Sequence, residues 1–185
     1  MTNRKTSHAS GFAAVALAAI ISAGCAATSK AQDPAALNDL EITHAAYVAG
    51  DIDIRNAHLA LALSDNPQVR DFAQLMLTDH QAVNDAALAL LAKLGADPQD
   101  NPFSQSLLSG ARKTWGDLAR LSGHDFDKSY AANELAYHQT VNSVVGDAFI
   151  PHVENAELKD LLGSALATFQ AHEQHAAQMV EAIGQ

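Results

Sequence analysis

Residues 75–95 read LMLTDHQAVNDAALALLAKLG. Met76, Val83, Ala87, Leu90 and Leu94 recur at three-, four- and seven-residue steps, the period of a helix with one apolar face. Position 80 belongs to the same seam but carries His80, with Asp79 beside it. A long helix with a single apolar face needs other helices to cover it. Three further stretches supply them.

Upstream, the pattern runs from about Asp39 to Leu63, with Ala45, Val48, Ala49, Ile52, Leu59 and Leu63 inward. SDNP then breaks it, and Pro67 suits the first turn of the next helix, capped by Asp65 or Asn66. So short a connection makes an antiparallel hairpin of the first two helices, the second ending at Gly95. Downstream, ADPQDNP is a loop, and FSQSLLSGARKTWGDLARLSG holds a shorter helix weakened by Gly110 and Gly116 that crosses the bundle end. The third long helix is predicted from near Asp125 to about Phe149, ended by Pro151, with Phe126, Tyr130, Tyr137, Val141, Val144 and Ala148 along its seam. The fourth runs from about Asn155 to Ile183, with Leu158, Leu162, Ala165, Phe169, Ala176, Met179 and Ile183 inward. Phe72, Met76, Tyr137 and Phe169 should be buried.

Composition agrees. Apolar residues make up 48% of the chain but aromatics only 5%, so the core is Ala, Leu, Val and Ile, which favours close-packed helices. Eleven Lys and Arg against 21 Asp and Glu leave a formal charge of −10, which argues against nucleic acid or an anionic bilayer surface as a partner.

The N-terminus reads as a separate object. Arg4 and Lys5 precede GFAAVALAAIISAG, an apolar run too short to span a bilayer comfortably. It ends in Ser22-Ala23-Gly24-Cys25, the shape of a lipoprotein signal, although Ser22 stands where an aliphatic residue is usual. Residues 1–24 are expected to be removed and Cys25 to carry the lipid; an ordinary signal cut near Ala26 or Ala27 is the alternative. Cys25 is the single cysteine, so no disulfide framework forms, and acylation would account for a lone thiol in an exported chain. Residues 25–38 read as a flexible tether and 39–185 as the folded domain.

VRDFAQLMLTDHQAVND, LSGHDFDKSYAANELAYH and FQAHEQH resemble the exported "domain of unknown function 4142" family. Phe72-Ala73, Asp79-His80, Ser122-Gly123, Phe126-Asp127, Tyr130, His138 and His172 carry the likeness. The resemblance implies an all-α, ferritin-like antiparallel four-helix bundle and an envelope location, in the periplasm or anchored to the outer membrane. It implies no particular activity.

His80 is not the only polar residue in a seam. His172 occupies a seam position on the fourth helix, Glu134 and His138 border the seam of the third, and Asp53 and Asn56 flank it on the first. Asp53 lies 12 residues before Asp65 and His80 lies 15 after it, so the two can face each other. Glu134 and His172 stand at similar depths, 14 residues before Ala148 and 16 after Ala156, and can meet. Three readings follow. The layer is structural and sets helix register; or it holds one divalent transition ion, Fe, Zn, Cu or Mn, on His80, His172, His138 and the carboxylates of Asp53 and Glu134; or the histidines respond together to acid. The structural reading leads, because buried polar groups ordinarily find partners.

A dinuclear oxidase fits poorly. Its Glu-x-x-His tetrad occurs once, at Glu41 to His44, away from the middle layer. His44 and His58 read as a solvated flank, His175 as either surface or a second ligand, and Trp115 as a packing anchor. No nucleophile elbow or phosphate loop is present, so a non-enzymatic envelope protein is expected. Processing at Cys25 predicts incorporation of labelled palmitate and its loss in Cys25→Ala; absence of label would leave plain secretion.

Overall fold

A computed structural model describes residues 32–184; the expected signal segment, Cys25 and the first part of the tether lie outside the described residues. Within them the chain is all-helical, without strands. The long elements are α1 (Asp39–Leu63), α2 (Pro67–Leu94), α3 (Pro102–Leu118) and α4 (Gly123–Ser143), followed by a π-helical segment (Val144–Phe149), a short α5 (Ile150–His152) and α6 (Ala156–Ile183). Helix α1 packs on α2, α2 on α6, α6 on α4 and α4 on α1, while α3 lies across α1 and touches α4.

Local chemistry sets the boundaries. Asn38 caps α1 in a capping box with Glu41. Asn66 caps α2 with Pro67 in its first turn, and Gly95, at φ 63°, closes it. The three-residue link folds α1 back on α2, fixed by Arg70, which donates to the carbonyls of Leu61 and Ser64, and by Ser64, which donates to Asp127. Asn155 caps α6, and Asp39 at the far end of α1 accepts from the backbone of Glu154 and Asn155, tying the two hairpins together.

Burial follows the helical period rather than strict heptads. On α2 the buried stripe is Val69, Phe72, Ala73, Met76, His80, Asn84, Ala87 and Leu91. Leu94, expected inward, is 47% exposed, because it is the last residue of α2, beyond the buried stripe that ends at Leu91. Leu63 is likewise at the surface, and Ala57 and Ala60 take the core face of α1. Phe72, Met76 and Phe169 are buried as expected, whereas Tyr137 is half-buried, its hydroxyl donating to the Ala49 carbonyl at 2.8 Å. All seven apolar residues assigned to the α6 seam are buried.

The third long helix does not simply end before Pro151. The α-helical turn widens at Val144, and Ile150 N–H bonds the Val145 carbonyl five residues back. A proline clashes with the carbonyl four residues earlier in an α-helix; the wider segment lets the chain continue through Pro151, and the break falls after His152. The end of the expected tether is structured. Pro34–Ala36 form a 3-10 turn capped by Asp33, and Leu37 is buried with Ile42, Val145, Phe149 and Val153. His44 is not a solvated flank: its Nδ1 lies 3.0 Å from Ser104 Oγ, against the start of α3.

Two glycine substitutions should act in opposite directions. A Cβ on Gly50 would fall on the side-chain amide of buried Asn84, which donates to the Tyr47 carbonyl at 3.3 Å. Gly50→Ala is expected to lower stability by about 1–2 kcal/mol after its gain in helix propensity is subtracted. At Gly110, on an open face of α3, Gly110→Ala is expected to add about 0.5–1 kcal/mol. Urea denaturation of the two variants reads the signs, and equal effects would refute the packing of Asn84 on Gly50.

Candidate metal centre

All five candidate ligands picked out in the sequence converge on one buried layer. Asp53 comes from α1, His80 from α2, Glu134 and His138 from α4, and His172 from α6; each is at most 2% exposed. One ring nitrogen from each of His80, His138 and His172 lies within 4.8 Å of the others. A second set, Asp53, Glu134 and His138, meets the same limit. The imidazole centroids of His172 stand 5.4 Å from those of both His80 and His138. Nitrogens bound to one ion at about 2.0–2.1 Å sit roughly 3–3.5 Å apart, so small rotations of the rings close the set.

The outer hydrogen bonds fix which ring atoms point inward. His138 Nδ1 lies 2.9 Å from the Glu134 carbonyl, one turn back on α4, and donates to it, which leaves Nε2 a lone pair facing the layer. His172 Nε2 lies 2.8 Å from Asp79 Oδ2 and donates to it, leaving Nδ1 inward. A carboxylate or carbonyl behind an imidazole is the usual way a metal-ligating histidine is held. The expected meeting of Glu134 with His172 is therefore corrected. Asp79 takes His172, and Glu134 Oε1 accepts from Asn56 and Asn133 at 3.0 and 3.2 Å. The cause is register, since His138, one turn further along α4, occupies the level opposite His172.

Asp53 and His80 do face each other, Oδ2 to Nε2 at 2.8 Å, and His138 Nε2 is 3.3 Å from the same oxygen. The nearer contact pairs the Asp53 carboxylate with His80, and His138 adds electrostatic attraction. His80 Nδ1, His138 Nε2 and His172 Nδ1 are buried without a hydrogen-bond partner. The Tyr130 hydroxyl, also buried, shares that condition.

Electrostatics sort the charges. Burial raises the Asp53 carboxyl, but attraction to and a hydrogen bond from His80, attraction to His138 and a hydrogen bond from Glu134 outweigh it and hold Asp53 well below the ordinary carboxylate range. Burial and the neighbouring Asp53 charge push Glu134 well above its usual value, which favours its protonated form. Burial also lowers His138, and lowers His172 to about 4 against the opposing pull of Asp79. His138 and His172, favoured in the neutral form and with lone pairs inward, stand beside His80 and a carboxylate in a donor set suited to a first-row divalent ion.

Sequence reading missed two participants. Asp79 was visible only as the neighbour of His80; its spacing gave no sign that it turns toward α6. Trp115 is more than an anchor: its Nε1 donates to Asn56 Oδ1 at 2.7 Å, so α3 holds the amide that in turn holds Glu134. Glu41 and His44 take no part, the first capping Asn38 and the second lying against Ser104.

These features define a class, an all-helical protein whose long helices enclose a histidine and carboxylate layer. The chain belongs to the family described as Domain of unknown function (DUF4142), whose profile matches residues 25–179. No curated protein and no solved structure matches the chain. Among the described residues no helix is long and apolar enough to cross a membrane.

Proposed function

We propose that the protein is an exported envelope protein, a ferritin-like antiparallel four-helix bundle lipid-anchored at Cys25, that binds one divalent transition ion in its central layer. His80, His138 and His172 supply nitrogen, and Asp53 and Glu134 supply oxygen. Iron, zinc, copper and manganese all accept such a set.

The observation that carries this reading is the group of unpartnered atoms. The structural alternative requires buried polar groups to satisfy one another; Asp53 pairs with His80, but one nitrogen on each of the three histidines stays without a hydrogen-bond partner. Each such nitrogen costs about 1–3 kcal/mol, a sizeable part of a typical folding margin of about 5–15 kcal/mol. A single cation removes most of that cost, because it turns inward lone pairs into ligands and neutralises Asp53. The positioning of His138 by a carbonyl and of His172 by Asp79 supports the same reading. The role is binding rather than turnover; the Glu41 to His44 tetrad, which a dinuclear oxidase would need, lies outside the layer.

The test is a thermal melt of chelator-treated protein with each first-row divalent ion in turn. One ion should raise the melting temperature; at about 100 times its Kd the gain corresponds to about 2.7 kcal/mol. His80→Leu should remain folded and lose the gain. Glu134 must release its proton to ligate, so the gain should grow as pH rises above the ordinary carboxylate range. A wild type indifferent to every ion would return the layer to a register-setting role.

A further inference from the structure

Beside the histidine layer, lined by α1, α2, α3, α4, α6 and the π-helical segment, lies a partly open cavity of about 140 Å³. Three features of the sequence make the space. Ala45, Ala49 and Gly50 put almost no volume on that face of α1. The wide turn of the π-helical segment sets Val145 and Phe149 back along the wall, and such segments recur beside binding sites. Ala165 does on α6 what the alanines do on α1, while Phe103 and Leu107 of α3 cover the space from outside.

The walls choose the chemistry. The two hydroxyls that border the cavity are already engaged, Tyr137 with the Ala49 carbonyl at 2.8 Å and Thr140 with the Ala136 carbonyl at 2.9 Å. No acid, amide or basic residue other than His80 and His138 borders it. A charged or strongly polar ligand would lose its hydration there and gain nothing in return. An apolar cavity of about 150 Å³ stays dry and takes a benzene-sized molecule. The inner end of the cavity is formed by the His80 and His138 rings, with Phe169 stacked on His80 at 4.7 Å between centroids.

We propose that this cavity is a binding site for a compact, uncharged, apolar molecule of about one ring, seated with one edge against the His80 and His138 imidazoles. It rests on the shape and lining of the cavity and holds whether or not the adjoining layer carries an ion. If the layer does carry one, the ligand lies beside two of its ligating side chains, and the ion and the apolar molecule become neighbours in one chamber.

Benzene is the probe, added to the purified full chain once with chelator and once with the stabilising ion. Binding should raise the melting temperature and move the ring resonances of His80 and His138 in the NMR spectrum. Ala165→Leu and Ala45→Leu fill the space from opposite walls; each should lose the benzene response while keeping the response to the ion. Benzoate, with the same ring and a charge, should give no response. An unresponsive wild type would overturn the proposal. So would a benzene response unchanged in both filled variants, or an equal response to benzoate. If a filled variant does not fold, the wild-type ring resonances alone decide, because binding elsewhere would leave them unmoved. A benzene response without any ion response would leave the cavity assigned and refute the metal reading; the converse pattern would do the opposite.

Discussion

A carboxylate that is fully buried and ionised must be answered by hydrogen-bond donors or positive charge within a few ångströms, and Asp53 is such a group. The answer comes from other helices. His80 and His138 stand closest to it, on α2 and α4, and His172 adjoins them from α6. Because the partners are spread over the long helices, none of these can slide by a residue without leaving Asp53 exposed to an uncompensated environment. The apolar seams hold the helices together at a range of registers; the charge at Asp53 selects one.

The rest of the structure supports that layer from behind. Asp79 and the Glu134 carbonyl orient two imidazoles, Asn56 and Asn133 hold the Glu134 carboxyl, and Trp115 holds Asn56. Apolar clusters close both ends. Phe72, Tyr130 and Met179 pack on one side, and Ile42, Phe149 and Leu162 on the other. A polar layer between two apolar ones has a low local dielectric, which strengthens attraction to a cation and makes an unsatisfied state costly.

Much of the architecture was legible because helix punctuation is local. Asn66-Pro67, Gly95 and Asn155 each mark an end through the chemistry of one or two residues, and all three fall where the structure places them. The widened turn at Val144–Phe149 was not legible, since nothing in VVGDAF differs in period from an α-helix; only the backbone shows that the chain runs on through Pro151. For the site, Asp53 opposite His80 followed from equal depth along a hairpin. Depth does not fix which of two residues one turn apart faces inward at a given level. That is why Glu134 was paired with His172 when His138 holds that level, and why Asp79 went unassigned. The family likeness rests on these same residues, Asp79-His80, His138 and His172, and supplies no activity for them.

The central claim is that the layer is a ligand set for one ion, and X-ray absorption at the metal edge tests it most directly. Protein purified from its native source, or loaded with one equivalent of zinc, should show imidazole scattering and nitrogen or oxygen neighbours at about 2.0–2.1 Å, with no sulfur shell. Histidine scattering should weaken in His172→Phe. A spectrum of fully hydrated ion, unchanged by that substitution, would contradict the account and leave Asp53 balanced by protons alone.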